Sequence, residues 1–274
     1  LQSAGIGATL KHFVGYSASR AARNHAPVPM GRRELEDVML PSFEMALREG
    51  GVESVMNSYS DIDGVPVAAS RELLTTVLRQ RWGFTGTVVS DYWAISFLAV
   101  MHRVAADLAE AGRMALTAGI DVELPQTSAY LTLADDVEQG RLGADVLDTA
   151  VRRVLEQKIR HGLLDQGWDP DAQGDPSRDL DSPRNRDIAR RVAEESVVLL
   201  ANDGILPLAA PRIALVGPVA GEPRSFMGCY AFPNHVLSRY ADRGTGLPVA
   251  SLAEGLAAEL PGSSVVTVAG VPFL

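Results

Sequence analysis

Four short apolar segments, each turning polar at its end, alternate with longer stretches of helical period. This alternation constrains the fold more than any other feature of the chain. The strand candidates are residues 8–14, 52–58, 87–90 and 119–124. Between the first two, Leu35, Val38, Met39, Phe43 and Ala46 mark one helical face. Leu73, Leu74, Val77 and Leu78 mark a second, with Ser70 placed to cap it. An Ala-rich stretch predicts one long helix over much of 96–118. Leu147, Val151, Val154 and Leu155 mark a further face, with Gly162 as its C-terminal stop. Strand and helix in strict alternation imply parallel strands joined by crossover helices. Open sheets and (β/α)8 barrels both satisfy that pattern.

The pattern breaks at residues 165–185, where Asp, Pro and Gly dominate, as in an inter-domain linker. A helix is then predicted over 186–200, with Ile188, Val192 and Leu199 on one face, followed by a compact buried strand at 213–216 and another at 265–268. The 274 residues suffice for one large domain or two ordinary ones. A net charge of −9 and a pI near 5.1 argue against a nucleic-acid binder. No apolar run reaches the ~18–20 residues that span a bilayer, so no membrane partner is expected. The single cysteine, Cys229, excludes an internal disulfide and leaves no thiolate cluster for a metal; a lone Cys reads as a small buried hydrophobe. Leu1 rather than Met opens the sequence, with no charged-then-apolar leader after it, so the native start is expected to lie elsewhere and the compartment stays open.

In α/β folds chemistry gathers where strands give way to loops at their C-terminal ends. Lys11 and His12 stand side by side at the first such end. Lys offers three donors, and a neutral His one donor and one acceptor, a set that suits sugar hydroxyls. A structural ion pair and a core histidine would use the same residues. At the second end, Asn57-Ser58-Tyr59-Ser60 turns polar within three residues; Tyr59 suits a bond to a carboxylate, a stack on a sugar, or plain packing. At the third, a buried strand delivers Asp91, and Tyr92 and Trp93 follow at once. Rings that cover the apolar face of a pyranose beside a carboxylate that attacks its anomeric carbon form a glycosidase pattern. The competing role for Asp91 is to cap the next helix. A fourth end carries Asp121 and Glu123 on one strand face, either lining a pocket or serving as structural charges.

Taken in order, these segments resemble glycoside hydrolase family 3. The matching pieces are Lys11-His12-Phe13 with Gly15-Tyr16, then Met56-Asn57-Ser58-Tyr59 with Asp63-Gly64-Val65-Pro66, then Trp82-Gly83-Phe84 leading through Gly86 to Val89-Ser90-Asp91. Beyond residue 185 come Ser196-Val197-Val198-Leu199-Leu200, Asn202-Asp203, Leu206-Pro207-Leu208 and Ile213-Ala214-Leu215-Val216-Gly217-Pro218. The resemblance implies an α/β fold: the C-terminal part of a TIM-like (β/α)8 barrel over 1–164, a linker over 165–185, and the start of an α/β sandwich domain over 186–274. It places the family's nucleophile on Asp91, its glycone-binding pair on Lys11 and His12, and its pocket tyrosine on Tyr59. Many members carry Trp directly after the nucleophile, whereas this chain has Tyr92 and then Trp93, so either ring is a candidate for stacking on the sugar. The Asp and Arg that members contribute from earlier strands, and the second-domain Glu that serves as general acid, are expected outside the chain.

The implied reaction is double displacement with retention on terminal β-glucosides or β-xylosides. The partner is a small oligosaccharide or an aryl β-glycoside, and no metal or organic cofactor is implied. The segment from Asp121 to Pro125 leans toward the β-xylosidase-like members. One branch of the family acts on N-acetylglucosaminides through a loop His-Asp pair; His25 lies near that loop, but no Asp stands between Gly15 and His25. Two other readings are a Schiff-base aldolase acting through a desolvated Lys11 and a carbohydrate-binding remnant without turnover.

Overall fold

The computed structural model describes residues 2–169, 172, 177–228, 230–237 and 239–271. Cys229 and the chain end at Leu274 lie outside the described residues, as does part of the 165–185 segment. The chain divides into two compact units, Leu1–Gly174 and Asp175–Leu274.

In the first unit, β1 (Thr9–Phe13), β2 (Ser54–Asn57) and β5 (Thr87–Val89) form a parallel sheet in the order β1-β2-β5. The register sets Val55 against Leu10 and Val88, so each crossover returns the chain to the same end of the sheet. The connections are helical. Between β1 and β2 run α1 (Arg32–Glu34), a π-helical turn (Leu35–Met39) and α2 (Leu40–Gly50). Between β2 and β5 lies a π-helical segment, Glu72–Arg81, whose predicted face Leu73, Leu74, Val77 and Leu78 is buried. The Ser70 hydroxyl accepts from the Leu73 amide at its start, as expected of the cap. Burial of these side chains with Phe13, Val55, Val88, Ile95 and Ile120 makes one continuous core. At about 1.5–3 kcal/mol for each large apolar side chain buried, this core is the main source of the unit's stability. Where the chain enters β5, a Cβ on Gly86 would stand 2.1 Å from the Glu53 carbonyl oxygen, so only glycine permits the close approach of these two segments.

Three expectations for this unit are corrected. The fourth strand reduces to a single parallel bridge, Val89 to Val122, because the Asp121 and Val122 amides both turn to the Val88 carbonyl, which breaks the even spacing of a parallel ladder. The long helix over 96–118 is two helices, α3 (Ala94–Val100) and α4 (Leu108–Ala118). Arg103 takes a positive φ of 57° between them, and Asp107 restarts the chain as an N-cap, accepting from the Glu110 amide at 2.8 Å. Strand β1 is half exposed rather than buried, and Lys11 itself is exposed. A short hairpin, β3 (Asp61–Ile62) and β4 (Val65–Pro66), turns through Asp63 and Gly64, both at positive φ, the two-residue turn that Asp-Gly favours. Helices α5 (Leu133–Glu138) and α6 (Ala144–Arg160) complete the unit, and Gly162 at φ 67° follows the end of α6.

The second unit opens with α7 (Pro183–Ser196), capped by Ser182 through the Asn185 amide. The helix ends earlier than expected: residues 197–200 are non-helical and exposed, Leu199 lies outside the helix, and Ile188 and Val192 are exposed. Val197 and Val198 are β-branched, which weakens continuation of the helix. Strands β6 (Arg212–Val216) and β7 (Ser264–Val268) pair in parallel over five residues. The side chains of β6 alternate between partial burial and exposure, so the buried strand expected at 213–216 has only one covered face, and β7 is exposed except at Val265. Short α8 (Phe232–Leu237) and α9 (Leu252–Glu259) lie between them, and Ser251 and Glu254 form a capping box at the start of α9.

Candidate active site

The C-terminal ends of the parallel strands carry polar residues tied to one another across the sheet. Ser58 donates its hydroxyl to the Val14 carbonyl at 2.8 Å, joining the ends of the first two strands. The buried Asn57 accepts the Asp91 amide on its side-chain oxygen at 3.3 Å and donates its Nδ2 to the Ser58 carbonyl at 2.7 Å. On the far side, the Ser90 hydroxyl accepts the Leu124 amide at 2.9 Å. Asp91 sits between these ties at the tip of β5.

The residue is 5% exposed. Oδ1 accepts from the Tyr92 amide at 2.8 Å. Oδ2 is buried and makes no hydrogen bond, and His12 presents Nε2 to it at 3.5 Å. A buried carboxylate oxygen without a donor is costly unless something else meets it. The helix-cap role does not account for it: α3 begins at Ala94 with Trp93 at the cap position and no side-chain cap. Burial holds His12 below its ordinary pKa; the Asp91 carboxylate opposes that shift and Lys11 adds to it. The ring is therefore neutral near pH 7. His12 also packs on Tyr16 at 4.7 Å, and with Lys11 it borders a cleft of about 350 Å³ that reaches Met39 and Phe43.

Tyr92 and Trp93 follow the carboxylate as expected and are both about two-fifths exposed, edge to face at 5.9 Å. Trp93 adopts a positive φ of 61° and donates its amide to the Leu124 carbonyl, which fixes the turn that presents the two rings. Tyr59 is almost fully buried and lies edge-on to His25, 4.5 Å away, and against Phe97 at 5.4 Å. His102 donates Nε2–H to the Tyr59 carbonyl at 3.1 Å, and burial keeps its pKa below the ordinary value. The structure thus brings His12 against Asp91 and sets the Tyr92–Trp93 pair beside it, while Tyr59 belongs to a neighbouring aromatic group with His25. His25 is more than a bare loop histidine: its ring is packed on the predicted pocket tyrosine.

Asp121 and Glu123 take the structural part of their two readings. Asp121 Oδ2 accepts from Arg79 at 2.6 Å and from the Val88 amide at 2.8 Å, and Oδ1 accepts from Arg153 at 2.9 Å. Glu123 accepts from the Ser128 amide and hydroxyl and from the Ala129 and Tyr130 amides, all within 2.9 Å. Four donors on one carboxylate clamp the loop that supplies Leu124 to Ser90 and Trp93. Lys11 is exposed, so it lacks the desolvation that a Schiff-base lysine needs. Among the described residues no group of three or more His, Cys, Asp or Glu side chains is placed to hold a metal ion, and no helix is long and apolar enough to cross a membrane.

The site is thus a buried carboxylate with one oxygen free of hydrogen bonds and two exposed rings, at a strand end of a parallel α/β sheet. Residues 1–157 match the glycosyl hydrolase family 3 N-terminal domain, a TIM-like barrel, and the chain belongs to that family. A β-xylosidase of Formosa agariphila is 36% identical over 234 residues, covering 81% of this chain and 32% of that protein. Among solved structures, a β-glucosidase of Erythrobacter marinus superposes with a TM-score of 0.72 at 37% identity, covering 97% of this chain and 34% of that one. A Listeria innocua β-glucosidase in complex with glucose superposes with a TM-score of 0.75 at 30% identity, covering 98% of this chain and 35% of that one. The chain therefore spans about a third of the length of these relatives.

Proposed function

We propose that this chain is part of a retaining exo-acting β-glycosidase that hydrolyses terminal β-glucosides or β-xylosides, with Asp91 as its nucleophile. The observation that carries the reading is the Asp91 carboxylate, buried at a strand end with one oxygen free of hydrogen bonds and two aromatic rings beside it. That oxygen attacks the anomeric carbon while a second carboxyl group protonates the leaving oxygen; water then releases the glycosyl-enzyme, and the acid now serves as base. In this geometry the two carboxyl groups stand ~5–5.5 Å apart. Lys11 and His12 bind glycone hydroxyls. Tyr92 or Trp93 covers the apolar face of the sugar, and Tyr59 walls the pocket. A neutral His12 accepts or donates without placing a fixed positive charge against the nucleophile. The relatives' names support both sugar classes: the Formosa protein is a β-xylosidase and the Listeria and Erythrobacter proteins are β-glucosidases.

In the same reading, 1–164 belong to the barrel, 165–185 link it to a second domain, and 186–274 open that domain, with the general acid supplied from outside this chain. Residues 1–274 made alone then hydrolyse neither cellobiose nor xylobiose, since acid assistance is worth about 10²–10⁴-fold. The decisive experiment uses the protein of the complete reading frame. A 2-deoxy-2-fluoro glycoside is expected to label Asp91 covalently, and Asp91→Ala to lower kcat by several orders of magnitude with ground-state binding less affected. Labelling of a different carboxylate would falsify the assignment.

A further inference from the structure

We infer that Asn57 is a positioning residue for Asp91, holding the backbone of the nucleophile from the neighbouring strand; this rests on the proposed role of Asp91. The ladder between β2 and β5 runs from Ser54 and Thr87 to Met56 and Val89, and then ends. One step beyond, the Ser90 amide is taken by the Val122 carbonyl on the other side of the strand. The Asp91 amide faces back toward β2, where no ladder carbonyl receives it. The Asn57 side-chain oxygen takes that place at 3.3 Å.

The orientation of the Asn57 amide is fixed chemically. Its Nδ2 lies 2.7 Å from the Ser58 carbonyl, which only accepts, so the nitrogen must face it and the oxygen must face the Asp91 N–H. Ser58 is itself held by its amide to the Phe13 carbonyl and its hydroxyl to the Val14 carbonyl. Asn57 is 0% exposed, so water does not compete for the bond. Apolar packing alone would suit this buried position at a strand end. A polar side chain there is explained by the amide it receives. The Asp91 carboxylate lacks a donor on Oδ2, so its placement depends on its main chain and on the Tyr92 amide.

The test compares Asn57→Ala with the unaltered protein of the complete reading frame in covalent labelling by a 2-deoxy-2-fluoro glycoside. A shift of about 1 Å at a reacting atom costs about 100-fold. The labelling rate constant is therefore expected to fall about 10–100-fold while the dissociation constant of the reagent stays within about threefold. Circular dichroism and the melting temperature check that the variant is folded. Should Asn57→Ala not fold, Asn57→Ser, which keeps a small polar group but loses the carbonyl acceptor, is measured in the same way. An unchanged rate constant, or a loss confined to binding, overturns the inference. Failure of both variants to fold also overturns it, since Asn57 then supports the core. Asp91→Ala is run beside them: if that variant still labels and turns over, the assignment of Asp91 itself fails, a result distinct from either outcome at Asn57.

Discussion

Replacing Asp121 by alanine strands a buried cation beneath the strand that carries Asp91. The Arg79 side chain is 7% exposed and the Asp121 side chain 1%, with 2.6 Å between them. Removing one partner of such a pair costs about 3–5 kcal/mol, because the other charge stays buried. Arg79 keeps bonds to the Gly86 and Gly119 carbonyls, which favours the lower end. The Val88 amide also loses its acceptor, and an unsatisfied buried amide costs about 1–3 kcal/mol. The Arg153 bond adds little, since that side chain is a quarter exposed. Together these give about 4 kcal/mol. At about 2–4 °C per kcal/mol for a domain of this size, the transition of the first unit should fall by about 8–16 °C. Scanning calorimetry of the complete protein measures it, with Asp121→Asn, which keeps one acceptor, falling between the two. A shift under about 2 °C for Asp121→Ala would refute the claim that this carboxylate is structural, since even 1 kcal/mol moves the transition by that much.

Replacing Lys11 by Ala in the complete protein is expected to lower kcat/KM about 10–150-fold, the worth of one charged hydrogen bond to a glycone hydroxyl, and replacing the neutral His12 about 2–10-fold, the worth of an uncharged one; unchanged kinetics in both variants would end that assignment. His12 is held below its ordinary value near 6.5 by burial, against the pull of Asp91. Histidine NMR titration should therefore show it protonating below pH 6.5, and lower still in Asp91→Asn, where that attraction is gone. His102 is shifted the same way by burial, so the stability both contribute is present above about pH 6.5 and lost as pH falls through their folded-state values; a urea midpoint that rises between pH 7 and 5 on their account would contradict the sign. Gly86→Ala drives a Cβ to 2.1 Å from the Glu53 carbonyl and 2.7 Å from the Phe84 ring, so it should yield an unfolded or strongly destabilised first unit, read by circular dichroism against wild type.

The parallel α/β class was legible in the sequence, because hydrophobic period distinguishes strand from helix without any knowledge of packing. The sequence also marked the candidate site: Asp91 stands at the turn from Val88-Val89 to Tyr92-Trp93, a strand end on a carboxylate followed by two rings. The family followed from the order of Lys11-His12, Asn57-Ser58-Tyr59 and Ser90-Asp91. The hairpin at Asp63-Gly64 was not read from the sequence, although the Asp-Gly pair is a turn signal that could have found it. What depends on neighbours far along the chain emerged only on folding. The break between α3 and α4 turned on an N-cap at Asp107, a local signal hidden within a helical composition. Strand pattern at 119–124 promised a fourth strand, but the Asp121 and Val122 amides converge on one carbonyl of β5, so a single bridge forms in place of a ladder. Burial on β1 and β6 is one-sided because the chain packs more closely on one face of each strand than on the other. The contacts of His12 with Asp91, of Asn57 with the Asp91 amide and of His25 with Tyr59 join residues between 34 and 79 positions apart. Their separation is closed only by the parallel crossovers, which return each strand to the same end of the sheet, so spacing along the chain carries no trace of the distances in the site.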